Sequence, residues 1–307
     1  MGALRKLAIS LTDLATAGTA FVLGPLLTRI AWNRGELRRF QAVSDRFGFA
    51  LRGTHYYEPT YRLADLPADT TAPRDLPGVD LRGDKQLALL AQFAFGPEMT
   101  GFPDREYACG DAASLYSMIR HFRPGRLIEI GCGRSTQVAI KAHAANAADT
   151  MSSSCVHICI EPYEMPWLEQ TGLQVIRQRV EDVALDVFEA MEANDILFID
   201  SSHIIRPHGD VLYEFQQIIP RLKPGVLVHV HDIFTPRDYP ERWLRADRRL
   251  WNEQYLLETM LAHNPRYSVV LATNWLKHEH WDAYARAFPI VKDRPAHNPG
   301  AFWFRVN

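Results

Sequence analysis

From residue 126 onward the chain switches between short unbroken apolar runs and longer stretches with apolar residues at three- and four-residue spacing. That alternation restricts the fold more than any other feature of the sequence. The runs are "RLIEIG" (126–131), "HICIEP" (157–162), "LQVIRQ" (173–178), "DILFID" (195–200), "VLVHVHDI" (226–233), "SVVLATN" (268–274) and "AFWFRV" (301–306). Being continuous rather than alternating, they predict strands buried on both faces, hence an α/β fold with a doubly wound, mostly parallel seven-stranded sheet. Ligands of such sheets sit beyond the carboxyl ends of the strands. Upstream, "DKQLALLAQFAF" and "GDAASLYSMIRHF" read as helices and "YEPTYRLADLPADTTAPRDLPG" as a proline-rich connector. The expected division is an N-terminal helical extension with its connector over residues 1–78 and one domain over residues 79–307.

With 307 residues and 47% hydrophobic content the chain can bury a large core. Thirty-four basic against thirty-six acidic side chains leave a net charge of -2, which gives no chain-wide basic field and speaks against nucleic-acid binding. Cys109, Cys132, Cys155 and Cys159 form no CxxC pair, so a reducing, cytoplasmic setting is expected. Near the N-terminus "LAISLTDLATAGTAFVLGPLLT" (residues 7–28) lies between basic flanks, but Asp13 interrupts it and Gly24 and Pro25 follow. A span needs about 20 apolar residues. The expectation is therefore a helix packed on the domain, on a partner or against a membrane surface, and residues 29–48 read as a further, charged helix.

Four strand ends carry chemistry. "RLIEIGCGRST" puts Gly131 and Gly133 in the turn after the first strand, where a ligand can approach the backbone closely, and Thr136 stands where a dinucleotide fingerprint would have its third glycine. Glu161 ends the second strand, where an acid can accept both hydroxyls of a ribose. "DILFIDSSH" ends in Asp200 and His203, and "GVLVHVHDIF" ends in His229, His231 and Asp232. Burying such groups costs several kcal/mol unless they are paired, hydrogen-bonded or bound to a metal.

The glycine loop, the acid after the second strand and the seven strands together resemble the class I S-adenosylmethionine-dependent methyltransferases. "EIGCGRST", "DILFIDSSH", "RLKPGVLVHVHDIF" and "WNEQYLL" are similar, more narrowly, to a bacterial subgroup related to metal-dependent macrolide-sugar O-methyltransferases and cephalosporin hydroxylase-like proteins. The resemblance implies S-adenosylmethionine beside Gly131 and Gly133, with Glu129 behind them, Glu161 on the ribose and Asp182 of "RVEDV" near the adenine. It also makes the fourth and fifth strands neighbours, so that Asp200, His231 and Asp232 converge as ligands of a divalent ion: Mg, Mn, Fe or Zn. The resembling sugar methyltransferases hold magnesium with carboxylates here, and His231 departs from them in standing where they carry a glutamate, which softens the site. A histidine three residues after the first carboxylate acts as their base, and His203 occupies that position.

These readings imply a metal-assisted O-methyltransferase acting on a hydroxyl of a small molecule, a saccharide or a natural product. Two other classes stay open: an oxidoreductase of the cephalosporin hydroxylase-like type, and a non-catalytic methyltransferase-fold protein. His229 is expected behind the metal ligands, and Asp210 as a helix cap. Substrate walls are expected from "HYYEPTY" (55–61), "TPRDYPERW" (235–243) and "NWLKHEHWDAY" (274–284), all rich in aromatics. Peripheral membrane contact through the N-terminal helix and a homo-oligomer complete the expectations.

Overall fold

The computed structural model describes residues 2–99, 107, 109–150, 155–163 and 165–307, the side chains of residues 2–8 and 150 excepted. The chain divides into two compact units, Met1–Ala68 and Asp69–Asn307.

In the first unit, helix α1 runs from Gly2 to Trp32 without a break at Gly24 or Pro25. Proline lacks the backbone donor for a carbonyl four residues earlier, and a helix of 31 residues absorbs that single loss. The expected helix over residues 29–48 is two pieces. Helix α1 ends at Trp32, and α2 (Arg38–Phe47) follows a turn and stops at Gly48, whose φ of 67° suits a glycine.

The second unit contains all seven expected strands: β1 (Arg126–Ile130), β2 (Val156–Ile160), β3 (Gln174–Ile176), β4 (Ile196–Ile199), β5 (Leu227–Val230), β6 (Tyr267–Ala272) and β7 (Phe302–Val306). Their order is β3-β2-β1-β4-β5-β7-β6. Strands β1 to β5 are parallel and β7 is antiparallel to both β5 and β6, which is the sheet of the class I methyltransferase fold. The unbroken apolar runs bury both faces. Leu127, Phe198, Leu227 and Trp303 pack on one side with α3 (Gly83–Leu90), α4 (Cys109–Phe122) and α5 (Arg134–Thr150), and Ile128, Ile199, Val228 and Phe302 pack on the other.

Register places the site. Ile130 pairs with Ile199 and Ile199 with Val230, so β1, β4 and β5 end in one row. Gly131, Asp200 and His231 therefore leave the sheet at the same level, beside the switch between β1 and β4 where ligands of open α/β sheets bind.

One buried polar pair crosses the apolar layer. His157 Nε2 lies 3.0 Å from Glu129 Oε2, with both side chains almost fully enclosed. Burial opposes the charged imidazolium, but Cys159 and Glu129 more than offset it and raise the His157 pKa to about 9. Because the folded value lies above the unfolded value of about 6.5, the pair's stabilisation is complete below pH 6.5 and is lost as pH rises through 9. Melting temperature is expected to fall across that window, by the equivalent of roughly 1 to 3 kcal/mol. A His157→Gln variant, less stable at neutral pH, should show a flatter profile in a calorimetric pH series.

Candidate active site

The turn after β1 is built by one glycine and opened by another. Gly131 has a φ of 79°, donates its N–H to Ile160 O at 3.1 Å, and faces Asp200 so closely that a Cβ would stand 2.0 Å from the Asp200 carbonyl oxygen. It is required by the closure of β1 against β4. Gly133 has no heavy atom of the described residues within 4 Å of a Cβ position, so none of them fills the space before it. Its N–H donates to Thr136 Oγ1 at 3.1 Å, which closes the first turn of α5.

Glu129 sits behind this loop, with Oε1 accepting from Ser135 Oγ at 2.5 Å and Oε2 facing His157. Both oxygens are engaged within the protein, and the residue acts on the loop by holding the start of α5. Glu161 borders a cleft of about 280 Å³ together with Gly131, Tyr163, Val180, Glu181 and Asp200. Its oxygens accept from Cys132 N (3.2 Å) and Tyr163 N (2.9 Å), which ties the glycine loop to the end of β2. A carboxylate has lone pairs to spare beyond two such bonds. Asp182 lies elsewhere: it is half exposed, pairs with Arg179 at 3.0 Å and does not line the cleft. Val180 and Glu181 of the same short turn face it instead.

Across the row, Asp200, His231 and Asp232 each offer one ligand atom, and these atoms lie within 4.8 Å of one another. His231 Nε2 is 3.6 Å from Asp232 Oδ1. His203 enters the same cluster, with Nε2 3.3 Å from Asp200 Oδ1 and 3.8 Å from Asp232 Oδ2. Its other nitrogen, Nδ1, lies 2.9 Å from Oε2 of the fully buried Glu253. Both His203 (φ 61°) and Asp232 (φ 56°) adopt left-handed backbone, a strain that persists only where the surroundings enforce it. Burial alone would lower the His203 pKa, yet Asp200 and Glu253 raise it well above 6.5. Burial raises Asp232, and it is outweighed at Asp200 by the neighbouring imidazoles, which hold that carboxyl below its usual range. Two carboxylates and an imidazole at this spacing, in need of positive charge, fit a divalent cation.

What enforces the strain is a segment to which the sequence reading gave no role. Trp251–Gln254, at the start of the Glu253–Leu261 helix, grips both loops. Asn252 N and Glu253 N donate to His203 O at 3.0 and 3.3 Å, Asn252 Oδ1 accepts from Ile205 N at 2.7 Å, and the Trp251 ring stacks on His203 at 4.2 Å. On the other loop, Gln254 Oε1 accepts from Phe234 N at 2.6 Å and its Nε2 donates to Arg237 O at 2.9 Å. From the opposite side Asp111 accepts from Gly300 N and Ala301 N, and Gly300 packs against the Asp232 backbone. The "WNEQYLL" motif carried this signal, although nothing in its spacing shows which loop it meets.

The remaining expectations divide. His229 is fully buried between Phe198 (4.3 Å) and Trp303 (4.6 Å), and burial lowers its pKa well below 6.5, so it packs as a neutral ring. Asp210 accepts from Ser202 N and Oγ and from Val211 N, pinning the Asp200–His203 loop as well as the helix that follows. Of the expected walls, "TPRDYPERW" reaches the site. Tyr239 and Trp243 join Trp251 in an aromatic group, and the Arg249 guanidinium lies over both indoles at 4.1 and 4.4 Å. Tyr284 of "NWLKHEHWDAY" is core, and "HYYEPTY" belongs to the first unit.

Residues 128–233 match the model of a methyltransferase domain family. A protein of Archaeoglobus fulgidus, recorded only as uncharacterized, is 24% identical over 185 residues, covering 52% of this chain and 82% of that protein. Among solved structures, an O-methyltransferase from Bacillus cereus in complex with SAH aligns at a TM-score of 0.38 and 14% identity, covering 72% of this chain and 91% of the other. The O-methyltransferase TomG of Streptomyces achromogenes, involved in tomaymycin synthesis and solved with SAM, aligns at 0.35 and 14%, covering 71% and 89%. The match to the methyltransferase domain family covers β2 to β5, the glycine loop and the Asp200–Asp232 cluster, on a sheet with the strand order of the class I methyltransferases.

Proposed function

We propose that the protein is an S-adenosylmethionine-dependent O-methyltransferase acting on a hydroxyl of a small molecule, a saccharide or natural-product acceptor, with a divalent ion held by Asp200, His231 and Asp232. The observation that carries this reading is the single row in which the open glycine loop, the Glu161 cleft and the Asp200–His203–His231–Asp232 cluster emerge together. A methyl donor seated over Gly133, its ribose on Glu161, would present its sulfonium beside that cluster.

The chain's own residues account for the proton. Glu253 accepts from His203 Nδ1–H, which fixes the ring and leaves Nε2 aimed at the space between Asp200 and Asp232. A divalent ion held by Asp200, His231 and Asp232 would supply positive charge that neutralises the two carboxylates and favours ionisation of an acceptor hydroxyl. Asp200 would then cease to hold a proton on Nε2, which could accept one from the acceptor while Glu253 keeps Nδ1–H in place. The acceptor oxygen then forms its bond to the methyl carbon as the carbon–sulfur bond breaks, its electron pair stays on sulfur, and the proton remains on His203. Burial pushes the Glu253 carboxyl above its usual range, and its hydrogen bond to His203 works against that shift.

The hydroxylase-like alternative gains from the closeness of His203 Nε2 to the carboxylates, since two imidazoles and a carboxylate also suit a non-haem iron. His203→Ala separates the two. As a base its loss leaves ion and cofactor affinity intact and lowers methyl transfer by roughly 10² to 10⁴, partly recovered at high pH. As a ligand its loss removes the ion. Asp200→Asn and Asp232→Asn should each weaken ion binding and abolish transfer while S-adenosylhomocysteine still binds in calorimetry. Glu253→Gln should lower turnover with little change in acceptor KM, because it disturbs the orientation of His203 rather than the acceptor site.

The two glycines give a second test. Gly131→Ala places a Cβ against the Asp200 carbonyl in left-handed backbone and is expected to lower stability by about 2 kcal/mol or more. A Cβ at Gly133 meets no atom of the described residues, so Gly133→Val should melt as the parent does and fail to bind S-adenosylhomocysteine. Normal binding by Gly133→Val would make the loop a turn without a ligand. Glu161→Ala should weaken the cofactor by about 1 to 3 kcal/mol.

A further inference from the structure

Helix α1 has no counterpart in the chemistry above, and its surface is unlike that of a helix in water. Between Ile9 and Trp32 only 6% of the helix is buried, and its mean hydropathy is 1.4. Phe21, Val22 and Leu14 expose 87%, 75% and 73% of their surface. At about 100° per residue, Ile9, Leu14, Phe21, Leu23 and Leu26 point in directions spread around the whole axis, so no polar face exists to turn toward solvent. An amphipathic helix lying in a membrane surface has such a face, and a helix pairing with a second copy needs only a stripe.

We propose that α1 crosses a lipid bilayer as a single span and anchors the methyltransferase unit to it. Length supports this: the 24 residues from Ile9 to Trp32 rise about 36 Å, against about 30 Å of hydrocarbon. Asp13 and Arg29, which interrupt the apolar stretch in the sequence, stand about one turn inside its two ends, where a side chain reaches the headgroup layer. The segment after the helix has the composition of an interface. Trp32, Phe47, Phe49, Tyr56 and Tyr57 are all exposed, as an aromatic belt requires. Helix α2 sets Phe40, Val43 and Phe47 on one side and carries Arg38, Arg39 and Arg46. With Arg29 and Arg34 these cations outnumber Arg5 and Lys6 on the other flank, which places the segment, and the second unit after it, on the cytoplasmic side. The inference does not depend on the reaction assigned to the second unit.

The test is fractionation of bacteria expressing the full chain. The protein should sediment with membranes, resist high salt and alkaline carbonate, require detergent for release, and have the mass of the intact chain. The double variant Phe21→Asp/Val22→Arg, with two charges at mid-span, should shift the protein toward the soluble fraction by at least about tenfold. External protease on spheroplasts should leave the second unit intact. Release by salt or carbonate would replace the span by a surface contact, and a soluble oligomer would give the helix a second copy as partner. A shortened chain would make the helix a removed leader. Each of these overturns the proposal.

Discussion

Negative charge buried at the ends of β4 and β5 is the constraint around which the second unit is organised. Asp200, Asp232 and Glu253 surround His203, and Glu253 is enclosed completely. Placing carboxylates in a protein interior costs several kcal/mol each unless charge or hydrogen bonds compensate. Among the described residues, the ion pairs that Asp200 and Asp232 make are with imidazoles, one of which would have to lose its proton to act as the proposed base. A divalent cation relieves the same carboxylates without occupying His203. The reading as a metal-assisted enzyme rests on this competition between a proton and an ion for one cluster.

Geometry of that quality needs support beyond the strands. Register brings Gly131, Asp200 and His231 to one level, but the residues after each strand take left-handed turns that the sheet does not impose. The Trp251–Gln254 segment holds the His203 loop and the Phe234 loop at once, and Asp111 with Gly300 closes the other side of Asp232. Two strand ends are thus positioned by elements distant in sequence. An error of an ångström in any of them would cost more in rate than in stability.

Most of the strands are legible in the sequence because strands buried on both faces are apolar without interruption, whereas β3, which stays partly exposed, and β6, fully buried only at alternate positions over most of its length, carry that signal more weakly. Asp200, His231 and Asp232 stood out for the converse reason, as costly groups at the ends of apolar runs. "RVEDV" offers two adjacent acids in one short turn, and it is Glu181 rather than Asp182 that lines the cleft, a difference of one residue that spacing does not decide. Glu253 was hidden because it lies fifty residues from His203 and its meaning is a tertiary contact. Asp13, Gly24 and Pro25 interrupt the apolar stretch in the sequence, yet helix α1 continues through all three, without the one hydrogen bond that a proline cannot donate.

The most direct measurement of the central claim is a crystal structure of the protein grown with S-adenosylhomocysteine and manganese, with anomalous scattering recorded at the manganese edge. The account predicts one peak within coordination distance of Asp200, His231 and Asp232, His203 Nε2 outside that distance, and the ribose hydroxyls on Glu161. A bound cofactor with no peak at the cluster would contradict it, and so would a peak ligated by His203.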